Sequence, residues 1–151
     1  MRTVIQRVSE ASVMIDGHVH GDIGRGYMIL VGFEDADTEE IVRAMCAKIS
    51  KLRIFDDDDG KMNRSILDVQ GAILSISQFT LYADCRKGNR PSFSGSGSPV
   101  HAEALYHYFN DQLRYLTIPV EEGIFGADMK VRLLNDGPVT IVLDSKEIVH
   151  G

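Results

Sequence analysis

The sequence predicts a mixed α/β domain in which two amphipathic helices cover one side of a sheet. Two stretches repeat apolar residues at helical spacing, and about seven shorter runs have strand character. Hydrophobic residues make up 44% and charged residues 25% of the 151 residues, which is typical of a globular protein with its own core. We therefore expect residues 1–151 to form a single domain that needs no disulfide or metal ion for its stability.

The N-terminal third predicts strands. Short strands are expected at 4–8 and 12–16, where Asp16-Gly17 favours a tight hairpin turn into a strand at 18–20. The run Tyr27–Phe33 is continuously apolar, as expected for a strand that is covered on both faces.

Two helices are predicted from their start signals and their apolar stripes. The first begins at Asp37, which forms a capping box with Glu40, and its stripe consists of Ile41, Met45, Ile49 and Leu52. The second begins at Ser98-Pro99, since proline is tolerated at the first helical position. Its stripe consists of Ala102, Leu105, Phe109, Leu113 and Leu116.

Strand character returns at 72–79, 129–134 and 139–143, and the segment Asn135-Asp136-Gly137-Pro138 separates the last two runs. This segment has the composition of an ordinary hairpin turn. It also fits a rigid turn that presents bare carbonyl groups to a ligand. Glycine leaves the backbone unshielded, proline fixes φ, and an X-Pro bond can be cis.

The segment 77–84 is the second candidate site, because polar residues follow directly after an apolar strand. Thr80 is its only hydroxyl placed like a nucleophile. A threonine nucleophile needs a general base or an N-terminal amine, and no histidine or lysine lies nearby in the sequence. We interpret Thr80 as a pocket or hydrogen-bonding residue, although a base could approach it in space.

The charge of the chain limits its function. The formal net charge is −6, and the isoelectric point near 5.3 argues against general coating of nucleic acid. The one compact basic cluster is Arg86, Lys87 and Arg90, and it is either a set of phosphate contacts or a solvated loop. Arg7, in an otherwise apolar strand, either projects into solvent or pairs with a carboxylate near the site.

No metal ion or cofactor is expected. The acidic run Asp56–Asp59 before Gly60 has the wrong spacing for a calcium loop and is interpreted as a charged turn. His18 and His20 share a strand face but have no third ligand in the sequence.

The sequence predicts a cytoplasmic protein. Cys46 and Cys85 form no C-x-x-C pair and fit a reducing compartment, and Cys46 is expected to pack in a helix. The longest apolar run, Tyr27–Phe33, is far shorter than the ~18 residues of a membrane span, and no signal-like apolar region follows the N-terminus.

The chain resembles the D-aminoacyl-tRNA deacylases of bacteria and eukaryotes over nearly its whole length. The two segments that resemble this family most specifically are Ser77-Gln78-Phe79-Thr80-Leu81 and Asn135-Asp136-Gly137-Pro138-Val139-Thr140. The resemblance extends through Val4–Val8, Ala11–Val13, Arg53–Phe55, Gly60–Asn63, Arg90–Phe93 and Ala102–Tyr106.

This resemblance implies a three-layer β/β/α sandwich that forms a homodimer with its active site at the subunit interface. It also implies a cis Gly137-Pro138 peptide inserted into the partner's pocket, with carbonyl oxygens facing the Cα of the bound aminoacyl group. An L-side chain would then collide with fixed backbone, whereas a D-side chain points away. Glycine has no side chain to collide, so mischarged glycyl-tRNA is an expected substrate as well.

The implied reaction is hydrolysis of the ester between the amino acid and the terminal adenosine of tRNA. The backbone amides of Phe79 and Thr80 would stabilise the oxyanion, and the 2′-hydroxyl of the substrate would assist in place of a protein nucleophile. Gln78 and Phe79 would shape the adenosine pocket. Ser77 and Leu81 would contact the substrate as well.

The implied partner is the acceptor end of aminoacyl-tRNA, with the basic cluster on its phosphates. Two alternatives stay open from the residues alone. One is a small esterase that uses a side-chain nucleophile and base, and the other is an RNA-binding dimer without catalytic activity.

Overall fold

A computed structural model describes residues 1–149, so the last two residues of the expected 1–151 domain lie outside the described part. The strands and helices, in chain order, are β1 (Arg2–Ile15), β2 (His18–Ile23), β3 (Gly26–Gly32), α1 (Glu39–Lys51), β4 (Phe55–Asp56), β5 (Met62–Arg64), β6 (Ala72–Ser77), a 3-10 helix (Phe79–Tyr82), α2 (Pro99–Tyr115), β7 (Val120–Glu122), β8 (Lys130–Asp144) and α3 (Ser145–Ile148).

Six strands form one mixed sheet around the long strand β1. The order is β2-β1-β3-β6-β7, with β8 paired to β1 as well, while β4 and β5 form a separate hairpin. All pairs of β1 are antiparallel, whereas β3–β6 and β6–β7 are parallel. The mixed α/β architecture predicted from the sequence is confirmed.

β1 is one strand rather than the two short strands that the sequence predicted. Its first half pairs with β3 from Arg2 to Val8, and its second half pairs with β2 from Ala11 to Ile15. The exposed residues Ser9 and Glu10 lie where β1 leaves one neighbour and meets the other. Polar residues therefore mark this change of partner and do not end the strand.

Two apolar clusters pack against opposite faces of β3, because side chains alternate along a strand. Tyr27, Ile29 and Val31 belong to the cluster that is covered by α1 and α2. Met28 and Leu30 belong to the second cluster, where they meet Val13, Ile23, Leu74, Ile76 and Val131. The helices thus cover one face of β3 and β6, and strand residues cover the other face.

The start of α1 differs from the expected capping box. The N-cap is Thr38, whose hydroxyl accepts a hydrogen bond from the amide of Ile41. The carboxylate of Asp37 instead binds the N-terminal ammonium of Met1 at 2.6 Å, and both residues are buried. Asp37 is therefore a buried ion-pair partner that ties the N-terminus to the start of α1.

The predicted start of α2, the hairpin turn at Asp16-Gly17 and the packing of Cys46 are confirmed. Proline occupies the start of α2 after Ser98, and four of the five stripe residues of α2 are buried. Asp16 and Gly17 have φ values of 51° and 78°, as a two-residue hairpin turn requires. Cys46 is fully buried in α1, whereas the stripe residues Ile41 and Leu52 are only partly buried against the core. The short helix α3 was not predicted.

The acidic run after β4 forms the charged turn that was expected. The carboxylate of Asp57 accepts hydrogen bonds from the amides of Asp59 and Lys61. These bonds organise the turn, and they hold the pKa of Asp57 below its ordinary value.

β8 overturns the prediction of two strands joined by a hairpin turn. The chain does not reverse at Asn135–Pro138, because Leu134 and Thr140 both pair with β1 in the same antiparallel direction. The register moves from Gln6↔Thr140 to Val8↔Asn135. The four residues 136–139 consequently lie opposite the single residue Arg7 and form a large bulge.

Candidate active site

A large cavity lies where the parallel strands β3 and β6 end. It has a volume of about 640 Å³ and is lined by Gly32, Ser77, Gln78 and Phe79 on the strand side. Ligands of α/β proteins typically bind outside the carboxyl ends of parallel strands. The opposite wall comes from the start of α2 and from the segment before β8.

The 3-10 helix directly after β6 is held close to the end of β3. The amide of Gln78 donates to the carbonyl of Val31 at 2.8 Å. A Cβ atom at Gly32 would lie only 2.7 Å from the carbonyl oxygen of Gln78, so glycine is needed for this close approach. The turn continues with hydrogen bonds from Leu81 to Gln78 and from Ala83 to Thr80.

Two backbone amides of this helix are free to bind a ligand. Within residues 1–149, the N–H groups of Phe79 and Thr80 donate to no backbone or side-chain acceptor outside the helix, as is normal for the first residues of a helix. Adjacent free amides of this kind are suited to an anion or to a developing oxyanion.

Side chains from distant parts of the chain fix the carbonyl groups of the same turn. The guanidinium of Arg2 donates to the carbonyl of Leu81 at 3.0 Å and to the carboxylate of Asp144 at 3.0 Å. It also lies over the ring of Tyr82, 4.6 Å from the centroid. The hydroxyl of Ser96 donates to the carbonyl of Phe79 at 3.0 Å. Arg2 and Ser96 therefore fix the backbone of the 3-10 helix at two of its carbonyl groups.

Thr80 does not contact a group that could act as a base. Its hydroxyl is exposed and accepts a hydrogen bond from the side-chain amide of Gln78 at 2.5 Å. An amide has no basic lone pair at neutral pH, and no histidine or lysine of residues 1–149 hydrogen-bonds Thr80. The contacts of Thr80 are those of a positioning or binding residue.

The bulge in β8 is built on Arg7. The Gly137-Pro138 peptide bond is cis, and φ of Gly137 is 128°. Arg7 donates from Nε to the carbonyl of Asp136 at 2.9 Å and from Nη1 to the carbonyl of Ile54 at 2.8 Å. It also approaches the carboxylates of Asp56 at 3.4 Å and Asp136 at 3.8 Å. Of the two interpretations of Arg7, pairing with carboxylates is confirmed.

The two candidate segments are far apart within one chain. The bulge lies opposite Arg7, whereas the 3-10 helix contacts Arg2, five residues earlier on β1. Since a strand rises about 3.3 Å per residue, roughly 17 Å separate them along β1. Neither Gly137 nor Pro138 lines the cavity, and Thr80 and Leu81 lie outside its lining as well.

The basic loop forms a separate hollow beside the main cavity. Asp84 and Ser92 exchange backbone hydrogen bonds of 2.7 and 2.9 Å, so that residues 85–91 form a loop closed at its base. Asp84, Arg86, Lys87 and Ser92 line the hollow, whereas Arg90 lies outside this lining. Arg86 binds the carboxylate of Asp84 and lowers its pKa to about 2. Lys87 and Arg90 form no ion pair with the described residues.

Several lining residues of the main cavity were missed from the sequence. These are Val31, Phe33, Ile76, Phe93, Ser96, Gly97, Pro99, Ala102, Phe125, Gly126, Ala127, Met129 and Val131. Phe93 lies in a segment that resembles the family, but it was not interpreted as a site residue. Gly126, between the second predicted helix and the predicted strand at 129–134, was the available signal for the far wall.

The described residues contain no group of three or more histidine, cysteine or acidic side chains that could hold a metal ion. Nδ1 of His20 lies 2.9 Å from the carbonyl of Glu122, so this ring has a protein partner. None of the helices in residues 1–149 is both long and apolar enough to cross a membrane.

The fold and the cavity together define the class of protein. This is a small α/β protein with a cavity at the carboxyl ends of two parallel strands and with free backbone amides in the 3-10 helix that follows one of them. The family model described as D-Tyr-tRNA(Tyr) deacylase matches residues 4–144. The chain therefore belongs to the D-Tyr-tRNA(Tyr) deacylase family.

Individual relatives agree with this family. The chain is 54% identical over 147 residues to a D-aminoacyl-tRNA deacylase of Thermus aquaticus, covering 97% of each chain. It is also 54% identical over 144 residues to a D-aminoacyl-tRNA deacylase of Deinococcus radiodurans, covering 95% of this chain and 99% of the relative.

Two solved structures have the same fold. A protein named c-Myc DNA Unwinding Element Binding Protein superimposes with a TM-score of 0.90 at 43% identity, covering 95% of this chain and 98% of the other. A probable eukaryotic D-amino acid tRNA deacylase superimposes with a TM-score of 0.81 at 19% identity, covering 94% and 97%. The second similarity concerns the fold alone.

Proposed function

We propose that this protein hydrolyses the ester bond of D-aminoacyl-tRNA in the cytoplasm and releases a free D-amino acid and tRNA. Membership of the deacylase family over residues 4–144 carries this proposal. Enzymes of this family are hydrolases of aminoacyl-tRNA esters, and the chain is one of them. The chirality of the substrate and the chemical roles of individual residues belong to the proposal.

The amides of Phe79 and Thr80 form the proposed oxyanion site. Both are free donors at the start of the 3-10 helix, and a tetrahedral intermediate of ester hydrolysis places its negative charge on the former carbonyl oxygen. The 2′-hydroxyl of the terminal ribose assists the reaction. This agrees with the contacts of Thr80, which include no base.

The main cavity holds the terminal adenosine in this proposal. Ser77, Gln78 and Phe79 line it, and its remaining wall is largely apolar, as suits the faces of a base. Leu81 does not line the cavity. Its carbonyl accepts a hydrogen bond from Arg2, which fixes the 3-10 helix beside the cavity. Lys87 and Arg90, with Arg86, contact phosphates of the acceptor end.

Discrimination against L-aminoacyl groups requires the bulge of a second copy. Gly137-Pro138 lies roughly 17 Å along β1 from the 3-10 helix of its own chain, so a homodimer is needed to bring the two segments together. Among the described strands, β8 pairs with β1 alone, and it exposes Leu134 and Val142. In the proposed three-layer β/β/α arrangement, this edge strand is the contact surface.

In the dimer, the carbonyls of Gly137 and Pro138 face the Cα of the substrate and exclude any L-side chain. The conformation supports this proposal because Arg7 holds the carbonyl of the preceding residue and fixes the bulge. This mechanism excludes L-side chains by collision and does not require a particular D-side chain, so many D-amino acids are accepted. Glycyl-tRNA is a substrate for the same reason.

The experiment that tests this function compares D-tyrosyl-tRNA with L-tyrosyl-tRNA after chelation of metal ions. We expect rapid hydrolysis of the D-ester alone. Hydrolysis of both esters would leave an esterase but remove the role of Gly137-Pro138. Binding of tRNA without hydrolysis of either ester would favour the alternative of a non-catalytic RNA-binding dimer.

A side-chain esterase is the other alternative. It requires a catalytic histidine beside a serine or threonine, and Thr80 contacts only Gln78 through its hydroxyl. A panel of fluorogenic acyl esters tests it directly. DNA binding, which the name of one structural relative mentions, is not favoured by a net charge of −6.

A further inference from the structure

The mouth of the main cavity carries two exposed aromatic rings in contact. Phe79 is 55% exposed and Phe93 is 40% exposed. Their ring centroids lie 5.1 Å apart with an interplanar angle of 71°, which is an edge-to-face contact. Of the other two aromatic residues of the cavity, Phe33 is buried and Phe125 is half-buried, so Phe79 and Phe93 are its most exposed rings.

The position of Phe93 is fixed by backbone contacts on both sides. It directly follows Ser92, which exchanges two backbone hydrogen bonds with Asp84. Three residues later, the hydroxyl of Ser96 donates to the carbonyl of Phe79, and the amide of Gly97 donates to the carbonyl of Phe33. Hydrogen bonds of the residues before and after Phe93 therefore fix the backbone that carries this ring.

Unpaired positive charge lies beside this ring. Lys87 lines the neighbouring hollow together with Ser92, the residue next to Phe93. Of the three basic residues of the loop, Arg86 is neutralised by Asp84, whereas Lys87 and Arg90 have no carboxylate partner within residues 1–149. An exposed aromatic face next to unpaired cations is the combination that binds single-stranded nucleic acid.

We propose that Phe93 and the exposed part of Phe79 form a stacking site for the base of the nucleotide that precedes the terminal adenosine. The phosphate between these two nucleotides, or the next one, then lies toward Lys87 and Arg90. In mature tRNA this base is a cytosine, but stacking depends on the face of the base and tolerates other bases. This inference rests on the proposed function only in placing the adenosine in the main cavity.

The first test compares two small substrates, the D-tyrosyl ester of adenosine and the D-tyrosyl ester of cytidylyl-adenosine. Stacking of one base contributes about a five- to hundredfold effect. The wild-type protein is expected to have a higher kcat/KM for the dinucleotide ester by such a factor. Phe93→Ala is expected to bring the ratio of the two kcat/KM values close to one. This holds even if the variant also changes kcat/KM for the adenosine ester.

Two further variants at position 93 and one control variant sharpen the comparison. Phe93→Trp keeps an aromatic face and is expected to retain the ratio, whereas Phe93→Leu keeps an apolar side chain and is expected to lose most of it. Tyr115→Ala removes an exposed aromatic ring that lines neither cavity and should leave the ratio unchanged. An equal loss for both esters in Phe93→Ala would overturn the proposal and leave Phe93 as a support for Phe79.

A second measurement does not depend on hydrolysis. A dinucleotide with 2-aminopurine on the 5′ side of adenosine, without an amino acid, is expected to lose fluorescence on binding, because stacking quenches this base. The quenching should be weak with Phe93→Ala and strong with Phe93→Trp.

Quenching that depends on Phe93 in a protein that hydrolyses neither ester would disprove the proposed function but keep this binding site. If the D-esters are hydrolysed but neither the ratio of the kcat/KM values nor the quenching of 2-aminopurine depends on Phe93, the stacking site is disproved and the proposed function stands.

Discussion

At the scale of single residues, the site depends on backbone groups that side chains hold in place. Arg2 and Ser96 bind carbonyls of the 3-10 helix, and Arg7 binds the carbonyl of Asp136 in the bulge. The contacts of these three side chains are hydrogen bonds to backbone carbonyls. Substitutions of the reactive-looking side chain Thr80 should therefore matter less than changes in the backbone.

Thr80→Val replaces the hydroxyl by a methyl group of similar size. We expect kcat for D-tyrosyl-tRNA to fall by less than about tenfold, because only the hydrogen bond from Gln78 is removed. Single-turnover hydrolysis measures the effect. Complete loss of activity in a folded variant would restore Thr80 as a nucleophile.

Gly137→Ala adds one methyl group where the backbone has φ of 128°. The new Cβ would lie 3.0 Å from the amide nitrogen of Val139 and 3.1 Å from Nη2 of Arg7. We expect kcat/KM for D-tyrosyl-tRNA to fall more than about tenfold, since the bulge must shift by tenths of an ångström and its bare surface is covered.

Gly24→Ala is the matched control, because a Cβ at Gly24 meets no atom within 4 Å. Its activity and stability should be close to those of the wild type. Equal activity of the two variants would show that the bulge does not contact the substrate.

At the scale of helices and strands, the N-terminus is joined to two helices by one buried ion pair. Asp37 accepts from the ammonium of Met1, whose carbonyl accepts from the amide of Ser145 in α3. The hydroxyl of Ser145 binds the same ammonium at 2.7 Å. The start of β1, the approach to α1 and the start of α3 thus share one polar cluster.

Asp37→Asn is expected to reduce the free energy of unfolding by about 3–5 kcal/mol, because it leaves the buried ammonium without its counter-charge. Urea unfolding followed by circular dichroism measures the loss. Glu40→Gln, on the exposed face of α1, should change stability by less than about 0.5 kcal/mol. A larger loss of stability in Glu40→Gln than in Asp37→Asn would instead support the capping box that the sequence predicted.

Elements with regular periodicity were predictable from the sequence, and elements defined by distant pairing were not. α2 follows from its proline start and its apolar stripe. The continuity of β8 through Asn135–Pro138 has no local signal, because the same residues also suit a hairpin turn. Only pairing with β1 on both sides of the bulge decides between them.

The same reason limits prediction of the site. Ser77, Gln78 and Phe79 were expected at a pocket and do line the main cavity. Phe125 and Met129 complete its far wall because the chain passes from β7 to β8 there. Apart from Gly126, the sequence around these two residues does not indicate a pocket. The catalytic roles of Phe79 and Thr80 stay predictions, as do the phosphate contacts of the basic loop.

At the scale of the whole molecule, buried groups that must stay protonated limit stability at high pH. Burial raises the pKa of the Cys46 thiol to about 12 and also raises the pKa values of Tyr27, Tyr82 and Tyr106. The unfolded chain releases these protons first as the pH rises. The free energy of unfolding should therefore fall from about pH 9 upward.

We expect a decrease of about 1–2 kcal/mol between pH 9 and 10.5 from Cys46 alone, measured as urea unfolding at a series of pH values. Cys46→Ala should remove this part of the pH dependence and leave the steeper fall above pH 10 that the tyrosines cause. A pH-independent stability up to pH 10.5 in the wild type would contradict the prediction.

With a net charge of −6, the proposed binding of phosphates depends on local positive charge in the basic loop. Reversing the charges of Arg86, Lys87 and Arg90 is expected to raise KM for D-tyrosyl-tRNA and flatten the salt dependence of activity. The log–log slope should change by about 0.7–0.9 for each phosphate group that the variant no longer binds. Lys87 and Arg90 should contribute more than Arg86, which is already bound to Asp84.

Lys51→Glu serves as the control, because this exposed lysine ends α1 and lines neither cavity. It should leave the salt slope unchanged. An unchanged slope in the triple variant would show that the basic loop is only a solvated segment.

The backbone pairing of Asp84 with Ser92 also bears on how the enzyme tolerates insertions and deletions. The two hydrogen bonds isolate residues 85–91 from the strands and helices on either side. A change in the number of residues inside this loop is therefore expected to alter how far the loop extends without shifting the register of any strand. The loop can then vary in length while the 3-10 helix keeps its geometry.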